Sequence, residues 1–232
     1  MKKIYHFYHC LLINHWYELT KEHINNLVSS VLYDELSEMS IGCLGEQKEL
    51  ERLQELIKPY DKIKIESYSS DVTQYEFITL KLLKKKCDEL KETAYIYYSH
   101  SKSVSYNESQ PKAKKAGKTW FDFLEYVNCQ NWRKAVKVLD FGYDGYGCKL
   151  IHKRVSPSTK THYSGNGFWC NSDYIKSLPK IETLNHKDRF SAEMYVGEYG
   201  AVLFTNCQLF VDYNCTSTFD ELLKGGHVKE LI

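Results

Sequence analysis

The chain is 232 residues long, enough to bury a substantial core as one large domain or two small ones. Its 31 lysines and arginines nearly balance 30 aspartates and glutamates, so it lacks the broad basic footprint of a nucleic-acid or anionic-membrane binder. With 19 tyrosines, 10 phenylalanines and 4 tryptophans, it carries more rings than a core takes up, which leaves some to line a cleft.

Residues 4–12 are apolar and aromatic enough for a first strand. Leu19, His23, Leu27 and Val31 then recur at helical spacing from Trp16 to about residue 33. Residues 39–44 read as a short second strand ended by Gly45. An amphipathic helix follows over 46–57, with Leu50, Leu53, Leu56 and Ile57 inward and Pro59 as its stop. Ile63 and Ile65 mark a third strand, and Ser69, Ser70 and Asp71 offer caps for a helix over about 72–90. Tyr95, Ile96, Tyr97 and Tyr98 form a buried central strand that stops at Ser99-His100-Ser101-Lys102. Such alternation of strand and helix is the pattern of βαβ units, so the expected class is α/β with a mostly parallel sheet flanked by helices.

His100 and Lys102 lie two apart, so in an extended chain both point to one side of the sheet edge. The carboxyl ends of strands are where open α/β sheets collect ligands, which makes the pair a candidate anion site. The plainer alternative is a satisfied histidine beside a solvated lysine.

Residues 103–118 are polar, with Pro111, Gly117 and several lysines, and read as a mobile loop beside that site. Two helices are expected over 119–140, on the stripes Trp120, Phe123, Leu124, Val127 and Trp132, Ala135, Val136, Leu139. Gly142, Gly145 and Gly147 lack the strand-then-helix context of a dinucleotide fingerprint and read as a turn into a strand over 148–151. The cluster His162-Tyr163-Ser164-Gly165-Asn166-Gly167-Phe168-Trp169 has the composition of a sugar site, with rings, hydrogen-bonding groups and glycines together. It reads equally as a glycine turn followed by a core tryptophan. Short helices are expected over 171–178 and 189–195, the second with Arg189 and Glu193 four apart. Strands around 202–205 and 208–213 and a helix or tail from 218 complete the pattern.

The eight cysteines form no C-x-x-C pair and no ligand-like spacing, which argues against structural zinc. Met1-Lys2-Lys3 leads directly into a strand, with no signal-like segment, so the expected location is cytoplasmic. No apolar run approaches the roughly 20 residues that cross a bilayer, leaving only peripheral attachment or attachment through a partner.

Three stretches together, 95–102, 162–175 and 189–196, resemble the motifs of a bacterial and viral glycosyltransferase-like family. Its members carry a strand ending in His-Thr-Lys-Gly, then His-Phe/Tyr-Ser-Gly-Asn-Phe-Trp-Trp with a downstream Tyr-Ile, then Arg-x-x-Ala-Glu-x-Trp-Ile. Asn14 and Trp16 after the first strand are also similar, and the resemblance spans about residues 4 to 197. Ser101 stands for the Thr, Ser103 for the Gly, and Gly167-Phe168-Trp169 for the Phe-Trp-Trp core.

The resemblance implies a GT-A-like, Rossmann-related domain over residues 1–232. Its nucleotide-sugar half would be 1–102 and its smaller acceptor half 119–232. It further implies transfer of a sugar from a nucleotide-sugar donor to a glycan or glycolipid acceptor, in surface polysaccharide or glycan synthesis. The donor set would be His9, Asn14, Glu76, His100, Ser101 and Lys102, and the acceptor set His162, Tyr163, Asn166 and Trp169. Where most GT-A enzymes hold a metal with Asp-x-Asp, this chain has His100-Ser101-Lys102, which can neutralise a diphosphate directly. No metal or other cofactor is therefore expected, and the transfer would be inverting, with Glu193 as base or else merely the partner of Arg189. Asp144 and Glu76 are weaker candidates for that base, Glu76 alternatively binding a donor-sugar hydroxyl or simply capping structure. The alternative function is a non-catalytic nucleotide-sugar or glycan binder on the same scaffold.

Overall fold

The structure, a computed structural model, describes residues 2–151, 160–197, 202–205, 207–209 and 228–230. Its first half runs β1 (Ile4–Leu12), α1 (Trp16–Ser29), α2 (Leu32–Glu35), β2 (Leu36–Gly45), α3 (Gln47–Ile57), β3 (Ile63–Ser69), α4 (Phe77–Glu89) and β4 (Tyr95–His100). Then come α5 (Pro111–Glu125), a π-helical turn (Tyr126–Gln130), α6 (Trp132–Asp140), β5 (Gly145–Gly147), β6 (Leu150–Ile151), β7 (His162–Tyr163) and β8 (Phe168–Asn171). The described chain ends with α7 (Ser172–Ser177), α8 (Phe190–Met194), β9 (Leu203–Thr205), β10 (Cys207–Leu209) and β11 (Val228–Glu230).

Seven strands form the central sheet in the order β3-β2-β1-β4-β8-β5-β9. The first four are parallel, β8 runs antiparallel to both β4 and β5, and β9 is parallel to β5. This is the mostly parallel α/β sheet that the alternation predicts. β1 and β4 are buried almost throughout, as expected of strands covered on both faces.

Strand alternation divides the core in two. Tyr8, Cys10, Tyr95 and Tyr97 pack with Leu19 of α1, Leu53 of α3 and Ala135 of α6 on one face. Phe7, Ile96 and Tyr98 pack with Phe77, Leu80 and Leu83 of α4 on the other. On the first face a polar seam joins α1 to α5: the imidazole Nδ1 of His23 lies 2.7 Å from Glu125 Oε1, and Asn26 Nδ2 donates to Glu125 Oε2 at 3.0 Å. His6 stacks on Tyr97 at 4.3 Å and its Nε2 reaches Ser99 Oγ at 3.0 Å.

The structure corrects several sequence expectations. The loop expected over 103–118 is helical from Pro111 onward, because proline with its fixed φ and missing N–H suits a first helical position as well as a break. The helix expected from 72 starts only at Phe77, since Val72–Gln74 is a 3-10 turn and Tyr75 then adopts φ 47°. Of the strand expected over 148–151 only Leu150–Ile151 (β6) forms, while Gly145–Gly147, expected as part of a turn, is β5; Lys149 at φ 46° stands between the two. Most of the strand expected over 208–213 and of the segment from 218 lies outside the described residues.

Three of the four expected acceptor residues are buried and take their partners from the fold. Trp169 is fully buried, stacked on Tyr97 at 4.8 Å and donating from Nε1 to Asn128 O at 2.9 Å, so it is a core residue. Tyr163 is buried and donates to Phe204 O, and His162 is buried with Nδ1 against Lys160 O at 2.8 Å.

Gly42 of β2 lets α4 approach the sheet: a Cβ there would stand 2.3 Å from Thr79 Oγ1 and 3.0 Å from its Cα. Gly42→Ala must therefore push the helix backbone, not merely a flexible tip. A cost of about 1–3 kcal/mol is expected, read as a lowered midpoint in a thermal melt. An unchanged midpoint would mean that α4 slides freely on β2.

Candidate active site

In the order β3-β2-β1-β4 the direction of winding reverses between β1 and β4, and a cavity of about 490 Å³ opens at the carboxyl ends of those strands. His9 and His100, register partners at the two strand ends, lie on the same face and both line it. Other segments reach the cavity, among them Tyr75 and Glu76 ahead of α4, Trp120 of α5, Lys149, the turn at Gly165, and Arg189 and Glu193 around α8.

Glu76 ties these parts together. Its Oε2 accepts from Tyr98 OH and from Asn166 Nδ2, each at 2.6 Å, and its Oε1 lies 3.5 Å from His100 Nδ1. Burial alone would raise its pKa. The charges of His100 and His9, with the Tyr98 and Asn166 hydrogen bonds, outweigh that and hold the carboxyl below its ordinary range. A carboxylate so occupied is a structural tie between α4, β4 and the 163–166 turn before it is a ligand contact.

His9 is set differently. Thr79 Oγ1 donates its one proton to Gly42 O at 3.2 Å, so toward His9 Nδ1 at 2.9 Å it can only accept. His9 is thereby fixed as the Nδ1–H tautomer, with Nε2 a lone-pair acceptor. Burial, reinforced by His100 and opposed by Glu76, pulls its pKa from 6.5 to about 4.

The sugar-site-like cluster forms a turn in which Asn166 N–H donates to Tyr163 O and Gly165 takes φ 86°. Glycine suits the third position of such a turn, and a Cβ there would also lie 2.5 Å from Trp120 Nε1. His100 Nε2–H donates to Gly165 O at 2.8 Å, and Gly165 N–H donates to Glu193 Oε1 at 2.9 Å. One peptide unit on each side of Gly165 thus couples the β4 end to α8. No ion pair joins Glu193 to Arg189 among the described residues; the guanidinium lies over the Phe190 ring at 4.7 Å.

Other sequence candidates have supporting places. Ser101 Oγ accepts from Leu11 N and Asn14 Nδ2 donates to Val104 O, so both clip the segment after β4 to β1. Lys102 lines the cavity, but its N–H turns back to His100 O at 2.7 Å, so the extended geometry assumed for the His100–Lys102 pair ends at His100. Asp144 accepts from Val202 N and does not line the cavity. Trp120, Lys149 and Arg189 line it without having been singled out: the first reads as one more core position, the second as a strand residue, the third as an ion-pair partner. Tyr75, Ser103, Lys149 and Asn166, all in the cavity wall, have positive φ at non-glycine positions, a concentration of backbone strain typical of functional sites.

No protein-family model matches the chain, and no curated protein matches it. Among the described residues no group of three or more His, Cys, Asp or Glu is arranged to hold a metal ion, and no helix is long and apolar enough to cross a membrane.

The His9 environment has a consequence for acid stability. Its folded pKa of about 4 lies below the ordinary 6.5, so the stability it supports is present above pH 6.5 and is lost as pH falls from there toward 4. The loss amounts to about 3 kcal/mol. His9→Asn, which keeps a donor for Thr79 but cannot titrate, should flatten the fall in melting temperature across that window. An equally steep fall in the variant would mean that other buried groups, such as His6, account for all of it.

Proposed function

We propose that the protein is a GT-A-like glycosyltransferase that moves a sugar from a nucleotide-sugar donor to a glycan or glycolipid acceptor, with inversion and without a metal ion, on the cytoplasmic side. One observation carries the reading. His100, the 163–166 turn and Glu193, distant in sequence, meet at a single switch-point cavity and are hydrogen-bonded in series through Gly165.

In this reading Lys102, beside His100 at the end of β4, neutralises the diphosphate of the leaving nucleotide by charge-assisted contacts, the work two metal-binding carboxylates do in most GT-A enzymes. Glu193 takes the proton of the attacking acceptor hydroxyl. Its Oε1 is oriented by the Gly165 amide, which leaves Oε2 for the substrate, and Arg189 does not consume it. His9 offers Nε2 as an acceptor for a donor hydroxyl. Glu76 acts by holding His100 and Asn166 in place.

Two variants test the assignment. Lys102→Ala should weaken nucleoside diphosphate binding, titrated calorimetrically in EDTA, by about tenfold to a hundredfold, the value of one charge-assisted contact. Undiminished affinity would make Lys102 a solvated charge. Glu193→Gln retains an oxygen for the Gly165 amide but cannot accept a proton, so turnover should fall by about 10² to 10⁴ with donor affinity and melting temperature little changed. A variant that keeps its rate would remove Glu193 from the chemistry, and a wild-type protein that binds sugar nucleotides without ever consuming them would be a binding protein instead.

A further inference from the structure

Lys149 is placed at a backbone and desolvation cost that a hydrogen bond to its carbonyl and the Trp120 ring offset only in part. It holds a left-handed backbone, φ 46°, in the cavity wall between β5 and β6, although lysine gains nothing from that conformation. Its ammonium lies 4.7 Å from the centre of the Trp120 ring. Burial draws its pKa down, and no carboxylate among the described residues forms an ion pair with it. The neighbouring cationic groups in the wall, Lys102 and Arg189, are likewise without ion pairs among the described residues, whereas the carboxylate Glu76 is taken up by Tyr98, Asn166 and His100. Glu193, held by the Gly165 amide, is the remaining carboxylate of the lining, so three cations in the wall, Lys102, Lys149 and Arg189, stand against one carboxylate not tied to other side chains.

The position of Lys149 says which part of a substrate it meets. Its carbonyl accepts from Ser164 N–H at 3.1 Å, and the next residue, Gly165, donates to Glu193. Trp120, beneath the ammonium, closes on Gly165 from the other side. Lys149 thus belongs to the turn that orients Glu193, not to the end of β4 where Lys102 stands. We infer that Lys149 anchors an acidic group, a phosphate or a carboxylate, carried by the acceptor sugar. The inference rests on the transferase reading for the word acceptor, while the anion subsite stands on the geometry of Lys149 itself.

The test is calorimetric titration of glucose 1-phosphate, methyl glucuronide and the neutral methyl glucoside, with and without saturating nucleoside diphosphate chosen from UDP, GDP and CDP. Wild-type protein should bind at least one acidic sugar tenfold or more tighter than methyl glucoside, and the tighter of the two acids identifies phosphate or carboxylate. Lys149→Met keeps the aliphatic stem on Trp120 but should abolish that preference, Lys149→Arg should retain it, and nucleoside diphosphate affinity should stay within about twofold in both. The inference is overturned if wild-type protein does not distinguish acidic from neutral sugars. It is equally overturned if Lys149→Met weakens nucleoside diphosphate and spares the acidic preference, which would assign Lys149 to the donor. Failure of every nucleoside diphosphate to bind wild-type protein would defeat the transferase reading alone, and the acidic-sugar comparison would still decide the subsite.

Discussion

The arrangement of the cavity depends on one half-buried carboxylate. Glu76 stands just ahead of α4 and receives hydrogen bonds from a β4 tyrosine and a turn asparagine, with an imidazole beside it. A charge drawn partly out of water must be compensated by its partners, so removing any one donor burdens the others. Three chain segments are thereby held to one another by a group that itself has little capacity left for a ligand. This separates two tasks that are easily merged: Glu76 builds the site, and the less committed groups around it, His9, Lys102 and Glu193, are those free to act on what enters.

The strain in the cavity wall follows from the same logic. Non-glycine residues at positive φ persist only where surrounding contacts over-determine them. Tyr75 is fixed between a 3-10 turn and the start of α4, Asn166 by its bond to Glu76, and Lys149 by the amide of Ser164. The wall is thus prearranged by secondary structure behind it, which lowers the ordering cost that a ligand must overcome.

Much of the parallel half was legible in the sequence because its signals are local. Tyr95 to Tyr98 and the apolar run of β1 could only be central strands, and the helix stripes between them fixed the βαβ rhythm. The clusters at His100, Gly165 and Glu193 could each be noticed, and the glycine-turn-with-core-tryptophan reading matches the buried Trp169, while Asn166 of the same turn lines the cavity. What could not be read was the non-local part. Nothing in the spacing of Arg189 and Glu193 reveals that a glycine amide takes the carboxylate. Lys149 looks like a strand residue until its left-handed φ divides β5 from β6, and Trp120 shares a helical stripe with true core residues.

The antiparallel insertion of β8 beside β4 has a metrical consequence. Tyr98 pairs with Phe168, and because the strands run in opposite directions, counting two residues up β4 and three back from β8 arrives at His100 and Gly165, the two that are hydrogen-bonded. The sheet acts as a ruler graduated at about 3.3 Å per residue, and the end of β4 and the turn ahead of β8 are zeroed against each other on it. A single residue gained or lost between Gly165 and Phe168 would shift the scale, and the protein would keep its sheet while losing the meeting of its two halves.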